Sequence, residues 1–385
     1  MMKKKILLVE PGYKTEYPPL GLMKISTWHK RRGDYVDFIK HTPEQCQTGV
    51  LKHPLDFSGS YKPYRQHYDI IYITTLFTYY LREVVETIEF YKSLFPHSEI
   101  RVGGILATLL PDSIEKQTGI KPHKGLLRND VESCPPDYSL FPNLDYSITF
   151  ATRGCVNDCP FCAVKEHEPE FVVKDNWPED INLLYTRAVF WDNNWFYSPN
   201  LEKDIRKLLE FKKRGVKVID FNQGLDCRLF DEQMAKDLKD VPIKPLRFAF
   251  DNHSEDGYIQ KAIELARKYG KKDVRVYVLY NFESEKDTPD YFFYRINEIN
   301  RLGAFAYPMR YRPLDALNTQ QCQTHISKSW DAELLRALKL TLMLFYSNGL
   351  ISDKRDAFIS IYGENKEQFI NKLRVIYEKD KHRKK

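Results

Sequence analysis

Short apolar runs alternate with helix-like segments along almost the whole chain, and this alternation constrains the fold more than any other feature of the sequence. Three runs precede residue 135, at residues 5–11, 69–75 and 99–103. Six more follow, at residues 147–152, 185–191, 216–221, 245–250, 274–280 and 304–309. Strands that alternate with helices pair in parallel, because a parallel connection needs a crossover about as long as a helix. The sequence therefore predicts an α/β protein built on parallel sheets.

A proline-rich link separates the two groups of predicted strands. Residues 134–137 read Cys-Pro-Pro-Asp, which is stiff because proline fixes its own φ and restrains the preceding residue. We predict a Rossmann-like, doubly wound parallel sheet over residues 1–135 and a partial (β/α)6 barrel of the TIM type over residues 136–315. Helical spacing from Asp331 to Ser347, followed by amphipathic stretches, predicts a helical C-terminal cap over residues 316–385.

Composition and charge exclude several classes of protein. The chain has 385 residues, of which 42% are hydrophobic, and seven cysteines that do not form a disulfide framework. It has no run of about 18 apolar residues, and its first apolar run is too short for a signal peptide. We expect a cytoplasmic protein with no membrane partner. A nucleic-acid partner would depend on the basic run 379–385, since a net charge of +6 is too small to indicate one.

Three cysteines lie within eight positions of one another, at Cys155, Cys159 and Cys162. Soft thiolates at such spacing select zinc or an iron–sulfur cluster. A tetrahedral zinc site would need a fourth ligand, and His167 is the candidate nearby in the sequence. The other kind of site is a cluster that is held by three cysteines and leaves one iron open. The thiol chemistry alone is compatible with both.

The pattern around these cysteines resembles the cluster loop of the radical S-adenosylmethionine (SAM) superfamily. The resemblance rests on the Cys-x3-Cys-x2-Cys spacing, on Phe161 before the third cysteine and on the strand-like run before the first. It implies that Cys155, Cys159 and Cys162 ligate a [4Fe–4S] cluster, that SAM chelates the open iron and that Phe161 lies against the adenine. Reductive cleavage of SAM would then give a 5′-deoxyadenosyl radical that abstracts hydrogen from an unidentified substrate. An electron donor such as flavodoxin or ferredoxin would be a partner.

The first predicted domain resembles the cobalamin-binding-type domain that precedes many radical SAM cores. The likeness rests on residues 18–22, 69–75 and 103–108. An Asp-x-His-x-x-Gly signature supplies an axial imidazole to cobalt in base-off cobalamin proteins, and residues 1–135 lack it. We therefore expect a degenerate domain, with cobalamin as the less favoured additional cofactor.

Polar turns follow the second and third strands of the predicted barrel, at the ends where working residues of parallel barrels stand. After the second strand, acidic and amide groups suit the SAM amine, and the candidates are Asp192, Asn193 and Asn194. A capping turn explains the same residues. After the third strand, one turn gathers Asn222, Gln223, Asp226 and Arg228. Arg228 is expected to fork onto the SAM carboxylate, and Asn222 or Gln223 to meet ribose or substrate. Cys227 is either a hydrogen donor or a small buried side chain.

Three functions are compatible with these patterns. The favoured one is a radical SAM enzyme whose first domain is a degenerate cobalamin fold. The second is a cobalamin-dependent radical SAM methyltransferase. The third is a zinc-stabilised nucleic-acid-binding protein that uses the three cysteines, His167 and the basic run at the carboxyl terminus.

Overall fold

A computed structural model describes residues 3–40, 67–346 and 349–383. Its strands are β1 (Lys5–Glu10), β2 (Tyr35–Lys40), β3 (Ile70–Thr75), β4 (Glu99–Gly104), β5 (Tyr146–Thr149), β6 (Thr152–Arg153), β7 (Val172–Val173), β8 (Arg187–Phe190), β9 (Val218–Phe221), β10 (Leu246–Ala249), β11 (Val274–Tyr280) and β12 (Phe305–Arg310). Its α-helices are α1 (Leu20–Arg31), α2 (Leu81–Leu94), α3 (Ile105–Leu109), α4 (Pro111–Thr118), α5 (Asn129–Glu132), α6 (Val164–His167), α7 (Leu201–Lys213), α8 (Glu232–Leu238), α9 (Tyr258–Lys268), α10 (Pro289–Arg301), α11 (Thr319–Thr324), α12 (Ala332–Phe345), α13 (Arg355–Tyr362) and α14 (Lys366–Arg383).

The chain divides into two compact units, each formed by segments that are separate in the sequence. The first unit comprises Met1–Ile148, Arg153–Asn182 and Pro313–Thr324. The second comprises Thr149–Thr152, Leu183–Arg312 and His325–Lys385. The segment that holds the three cysteines therefore belongs to the same unit as the amino-terminal sheet.

The first unit contains a four-stranded parallel sheet in the order β2–β1–β3–β4. The core of this unit lies on both faces of the sheet, since Val84 and Ile88 of α2 pack on one face and Leu22 and Met23 of α1 on the other. This confirms the prediction of a doubly wound parallel sheet. The sequence did not reveal β2, because this edge strand mixes charged and half-exposed residues with its apolar ones.

The second unit contains the parallel strands predicted for the barrel. β8 pairs with β9, and β11 pairs with both β10 and β12. Isolated parallel bridges, Ile219–Ile243 and Leu225–Phe248, continue the arrangement from β9 towards β10. The helices α7 to α10 alternate with these strands along the chain. The strands form separate three-stranded sheets, and the part of the chain that the structure describes contains no closed barrel.

The carboxyl-terminal segment of the second unit is helical, as predicted. α12 and α13 both pack on α14, with Leu338, Phe358 and Phe369 buried between them. The predicted end of the first of these helices, at residues 347–348, and the last two residues of the basic run lie outside the described residues. Within the described ranges, the length and apolarity that a membrane-spanning helix requires are found in none of the helices.

Candidate functional site

A buried carboxylate, that of Glu168, holds the start of the cysteine loop. One oxygen, Oε1, lies 2.9 Å from Nη2 of Arg153, and the other, Oε2, accepts a 2.6 Å hydrogen bond from the Gly154 N–H. The Glu168 side chain is only 6% exposed, and charge-assisted hydrogen bonds are strong in such surroundings. One side chain therefore fixes the two residues that precede Cys155.

Gly154 occupies a backbone conformation that only glycine tolerates at this place. Its φ is +76°, and a Cβ added to it would lie 2.2 Å from the carbonyl oxygen of Glu170. The sequence reasoning missed Gly154 and Glu168. The glycine directly before the first cysteine was the available signal, whereas the role of Glu168 depends on chain folding that no local pattern shows.

The three thiols follow this anchor on one short loop. Cys155, Cys159 and Cys162 are all half-buried. The Asn157 N–H donates to Sγ of Cys155 at 3.4 Å, and the Cys162 N–H donates to the carbonyl oxygen of Cys159 at 3.0 Å. Three soft donors on a fixed loop fit an iron–sulfur cluster, in which each thiolate binds a different iron.

In a site for a single metal ion the ligands converge on one point, whereas the ligands of a cluster bind different irons. Among residues 3–40, 67–346 and 349–383, no three side chains of His, Cys, Asp or Glu are arranged around a common point where a single ion would sit. His167, the candidate fourth ligand of zinc, lies with Nδ1 3.2 Å from Oγ1 of Thr108. The Thr108 hydroxyl also accepts from the Gly125 N–H and donates to the Gly104 carbonyl. This contact ties α6 to α3, which gives His167 a structural role that needs no metal.

Asp192 lies in the second unit, where its carboxylate binds the backbone that follows β5. Oδ1 accepts from the N–H and the hydroxyl of Thr152, at 2.6 and 2.7 Å, and Oδ2 accepts from the Ala151 N–H at 3.1 Å. The side chain is fully buried, and this burial raises the pKa of Asp192 to about 7. Asp192 is a candidate for binding the SAM amine, but both of its carboxylate oxygens already accept hydrogen bonds from Ala151 and Thr152.

We expect Asp192 to make the stability of the protein depend on pH. Its carboxyl has a pKa of about 7 when folded and an ordinary value of 3.8, so the folded state keeps a proton that the unfolded chain releases. The contribution of Asp192 to the unfolding free energy should decrease as pH rises from about 4 to about 7, by about 4 kcal/mol at most. Denaturant unfolding of wild type and Asp192→Asn at several pH values measures it as a difference. Asp290→Asn, at an exposed site, is the control, and a difference that is constant with pH would contradict the expectation.

The structure brings together three of the predicted residues in the second unit. Asp226 accepts from Nε and Nη2 of Arg228 at 2.8 and 2.6 Å, and Nδ2 of Asn194 lies 3.4 Å from Oδ2 of Asp226. The Asp226 carboxylate also caps the Arg228 backbone N–H. Arg228 therefore forks onto a carboxylate as its chemistry predicts, but that carboxylate is Asp226 of the same turn.

The other predicted residues surround this pair or lie apart from it. The Asn222 carbonyl accepts a 2.6 Å hydrogen bond from the Tyr277 hydroxyl, and Nε2 of Gln223 is 3.5 Å from Oδ1 of Asn222. Asn193 is half-buried beside Asn194 in the chain, and Phe161 is half-buried in the first unit. Cys227 is buried, and burial raises the pKa of its thiol, which therefore stays neutral.

A half-buried acidic pair after β10, Asp251 and Glu255, was not found by the sequence reasoning. Oε2 of Glu255 accepts from the N–H groups of Asp251 and Asn252, and burial raises the pKa of Asp251 to about 6 and that of Glu255 to about 7. The fully buried Arg295 donates to the carbonyl oxygen of Asp251. The capping box Asn252-x-x-Glu255 was the local signal for this turn.

Comparison with known proteins defines the fold. No protein-family model and no curated protein matches the chain. A solved structure of the radical SAM methyltransferase TsrM from Kitasatospora setae, with cobalamin and a [4Fe–4S] cluster bound, is 13% identical, covers 82% of this chain and 77% of its own, and has a TM-score of 0.65. A second TsrM structure, with tryptophan substrate and a SAM analogue, is also 13% identical, covers 83% and 76%, and has a TM-score of 0.62. The chain has the fold of a radical SAM enzyme that carries a cobalamin-binding-type domain.

Proposed function

We propose that the protein is a radical SAM enzyme. The observation that carries this proposal is the Cys-x3-Cys-x2-Cys loop, anchored by Gly154 and Glu168, in a chain with the fold of such enzymes. Radical SAM chemistry needs a cluster that is held by three thiolates and keeps one iron open for SAM, and three cysteines fit this requirement. The zinc alternative has less support, because its fourth ligand, His167, is held against Thr108.

In this proposal Cys155, Cys159 and Cys162 hold a [4Fe–4S] cluster, which flavodoxin, ferredoxin or a similar donor reduces. When bound, the cluster supplies the electron that cleaves SAM to methionine and a 5′-deoxyadenosyl radical. The chain places and shields the reacting molecules, and Phe161 is proposed to lie against the adenine.

Arg228 and Asp226 match the two charges of the methionyl part of SAM. A guanidinium suits its carboxylate and a carboxylate suits its ammonium, and these groups already lie 2.6 Å apart. Their partner Asn194 and its neighbour Asn193 offer amide oxygens to the same ammonium. We assign ribose contacts to Asn222 and Gln223, in the same turn.

Anaerobic purification and SAM turnover test the proposal. The protein should contain about four irons per chain. It should show a brown charge-transfer absorption and form 5′-deoxyadenosine when supplied with SAM and dithionite. A colourless protein that contains one zinc and makes no 5′-deoxyadenosine would favour the nucleic-acid-binding alternative.

Cobalamin fits this chain less well, because its own tyrosines occupy the place where a ligand of such a sheet binds. In the order β2–β1–β3–β4 the parallel strand β2 lies on one side of β1 and β3 on the other, so the strand order reverses between β1 and β3. Ligands of such sheets bind in the crevice beyond those two strand ends. Tyr13, after β1, stacks on Tyr80, after β3, with ring centroids 4.9 Å apart. The Tyr80 hydroxyl donates to the carbonyl oxygen of Lys14 at 3.2 Å, which closes the two loops on each other.

The helix α11 covers the same turn from outside. Tyr79, next to Tyr80, is buried against Ala316 and against Cys322 of α11. A planar ring as large as a corrin needs the room that these side chains take. We therefore derive no step through cobalamin and place the cobalamin-dependent methyltransferase second.

We expect wild-type protein to retain no corrinoid. After incubation with hydroxocobalamin and gel filtration, the visible spectrum should show no corrinoid band, because Tyr13 and Tyr80 fill the crevice. The double variant Tyr13→Ala/Tyr80→Ala, which opens the crevice, is the comparison. One corrinoid per wild-type chain would contradict the expectation and favour the methyltransferase.

A further inference from the structure

One face of the sheet β10–β11–β12 is only partly covered, although parallel sheets in α/β proteins usually have both faces buried. Along β11 the burial alternates: Val274, Val276 and Val278 are fully buried, whereas residues 275, 277 and 279 are half-exposed. α10 packs on this strand. β10 alternates in the same way, with Leu246 and Phe248 buried. The packed face is thus the usual core, and the residues of the other face are half-exposed.

Arginines and tyrosines line this partly covered side. We call it the inner face and define it by Arg187 on β8, Arg247 on β10, Arg275 and Tyr277 on β11, and Tyr307 on β12. Arg187 and Arg247 both pair with the buried carboxylate of Asp220 on β9. The Arg247 guanidinium lies 5.8 Å from the centroid of the Tyr277 ring, and the Tyr277 and Tyr307 rings meet edge to face at 5.7 Å. These contacts make one continuous surface across β8 to β12.

The inner face has two chemically different ends. Arg187 and Arg275 stand at the starts of their strands, and their side chains are 40% and 32% exposed. Each is paired on one side with a carboxylate, Arg187 with Asp220 and Arg275, through Nε and Nη2, with Asp273. Tyr277 lies two residues, about 7 Å, further along β11. Its hydroxyl donates to the Asn222 carbonyl, and its ring lies 3.4 Å from where a Cβ of Gly224 would be. The aromatic end therefore adjoins the 222–228 turn, and Arg187 and Arg275 lie at the opposite ends of their strands.

We propose that the inner face binds a substrate that carries an aromatic ring and an anionic group. The ring packs against Tyr277 and Tyr307, which offer aromatic faces and edges. The anion, a carboxylate or a phosphate, binds the solvent-facing N–H groups of Arg187 and Arg275, beside the carboxylates of Asp220 and Asp273. The inference rests on the proposed function, since the 222–228 turn is where we place SAM, and the ring is the part of the substrate that faces the radical.

A matched pair of fluorescent probes tests this surface in the intact, anaerobically purified protein. The anionic probe is 8-anilino-1-naphthalenesulfonate, and N-phenyl-1-naphthylamine has the same rings without the charge. We expect Arg187→Gln/Arg275→Gln to weaken binding of the anionic probe about tenfold or more and to leave the neutral probe unaffected. Tyr307→Ala should weaken both probes. Arg301→Gln, which changes an exposed arginine of α10, is the control for an arginine outside this surface.

Competition identifies the anion. Phenyl phosphate and benzoate share a ring, and the one that displaces the anionic probe at lower concentration shows whether the surface prefers phosphate or carboxylate. The inference is wrong if neither compound displaces the probe, or if the arginine double variant binds it as wild type does while circular dichroism shows the same fold. This binding needs no SAM cleavage. Absence of 5′-deoxyadenosine from wild type would overturn the proposed function, whereas unaltered dye binding would overturn this inference alone.

Discussion

Cys159→Ala is expected to lose the cluster and all SAM cleavage while remaining folded. The cysteine lies half-buried on a loop whose start is fixed by Glu168, so its removal takes away a metal ligand without opening a packed core. The iron content should fall from about four per chain to a small remaining fraction, because a cluster with only two cysteine ligands is weakly held. Iron analysis and 5′-deoxyadenosine formation measure the two effects. Cys155→Ala and Cys162→Ala should behave alike.

Cys134→Ala is the matched control. Cys134 is a free, buried cysteine of the same unit, and its thiol donates to the carbonyl oxygen of Asp130. This variant should keep its iron and its SAM cleavage and lose only stability, by about 1 kcal/mol. If Cys159→Ala kept its iron, or if Cys134→Ala lost as much, the assignment of the three ligands would be wrong.

Gly154→Ala is expected to damage the same loop through the backbone alone. A Cβ at this residue meets the Glu170 carbonyl at 2.2 Å, and the residue also has a left-handed φ of +76°. The conformational part costs about 1–2 kcal/mol, and relief of the clash must move the backbone around Cys155. We expect a total loss of about 3 kcal/mol or more, together with most of the iron. Denaturant unfolding and iron analysis of the same preparation measure both.

Gly119→Ala separates the conformational cost from the clash. Gly119 also has a left-handed φ, +70°, but a Cβ there would meet nothing within 4 Å. It should cost about 1 kcal/mol and leave the iron unchanged. Equal losses of stability and iron in the two variants would show that the close approach to Glu170 does not shape the cysteine loop.

Local periodicity was enough to predict most of the fold. The strand 274–280 was predicted with the bounds that the structure shows, because its residues alternate between a packed and a half-exposed face. β2 was missed, since an edge strand with charged residues lacks that pattern. The compact units were not predicted. Which segments belong to each unit depends on contacts between residues far apart in the sequence. The local spacing of apolar residues does not encode such contacts.

The sequence predicted the cysteine ligands of the candidate site, but it did not predict the residues that hold the cysteine loop in place. The spacing of the three cysteines is local and was readable, whereas the contact of Glu168 with Gly154 requires the chain to return after α6. Asp192 and Arg228 were predicted from charge, but the structure shows that each already has a partner within its unit, on Thr152 and on Asp226. The charge of a side chain predicts which kind of group it prefers to bind, whereas the fold determines which such group lies within hydrogen-bond distance.

The return of Pro313–Thr324 to the first unit has a consequence for how the protein is made. A ribosome releases the amino-terminal sheet and the cysteine loop early, and domains generally fold as they emerge. Tyr79 receives its cover of Ala316 and Cys322 only after more than half of the chain has followed. The unit that begins first is therefore completed late in synthesis, and a gene truncated between the two segments would encode an amino-terminal unit with an exposed aromatic cluster.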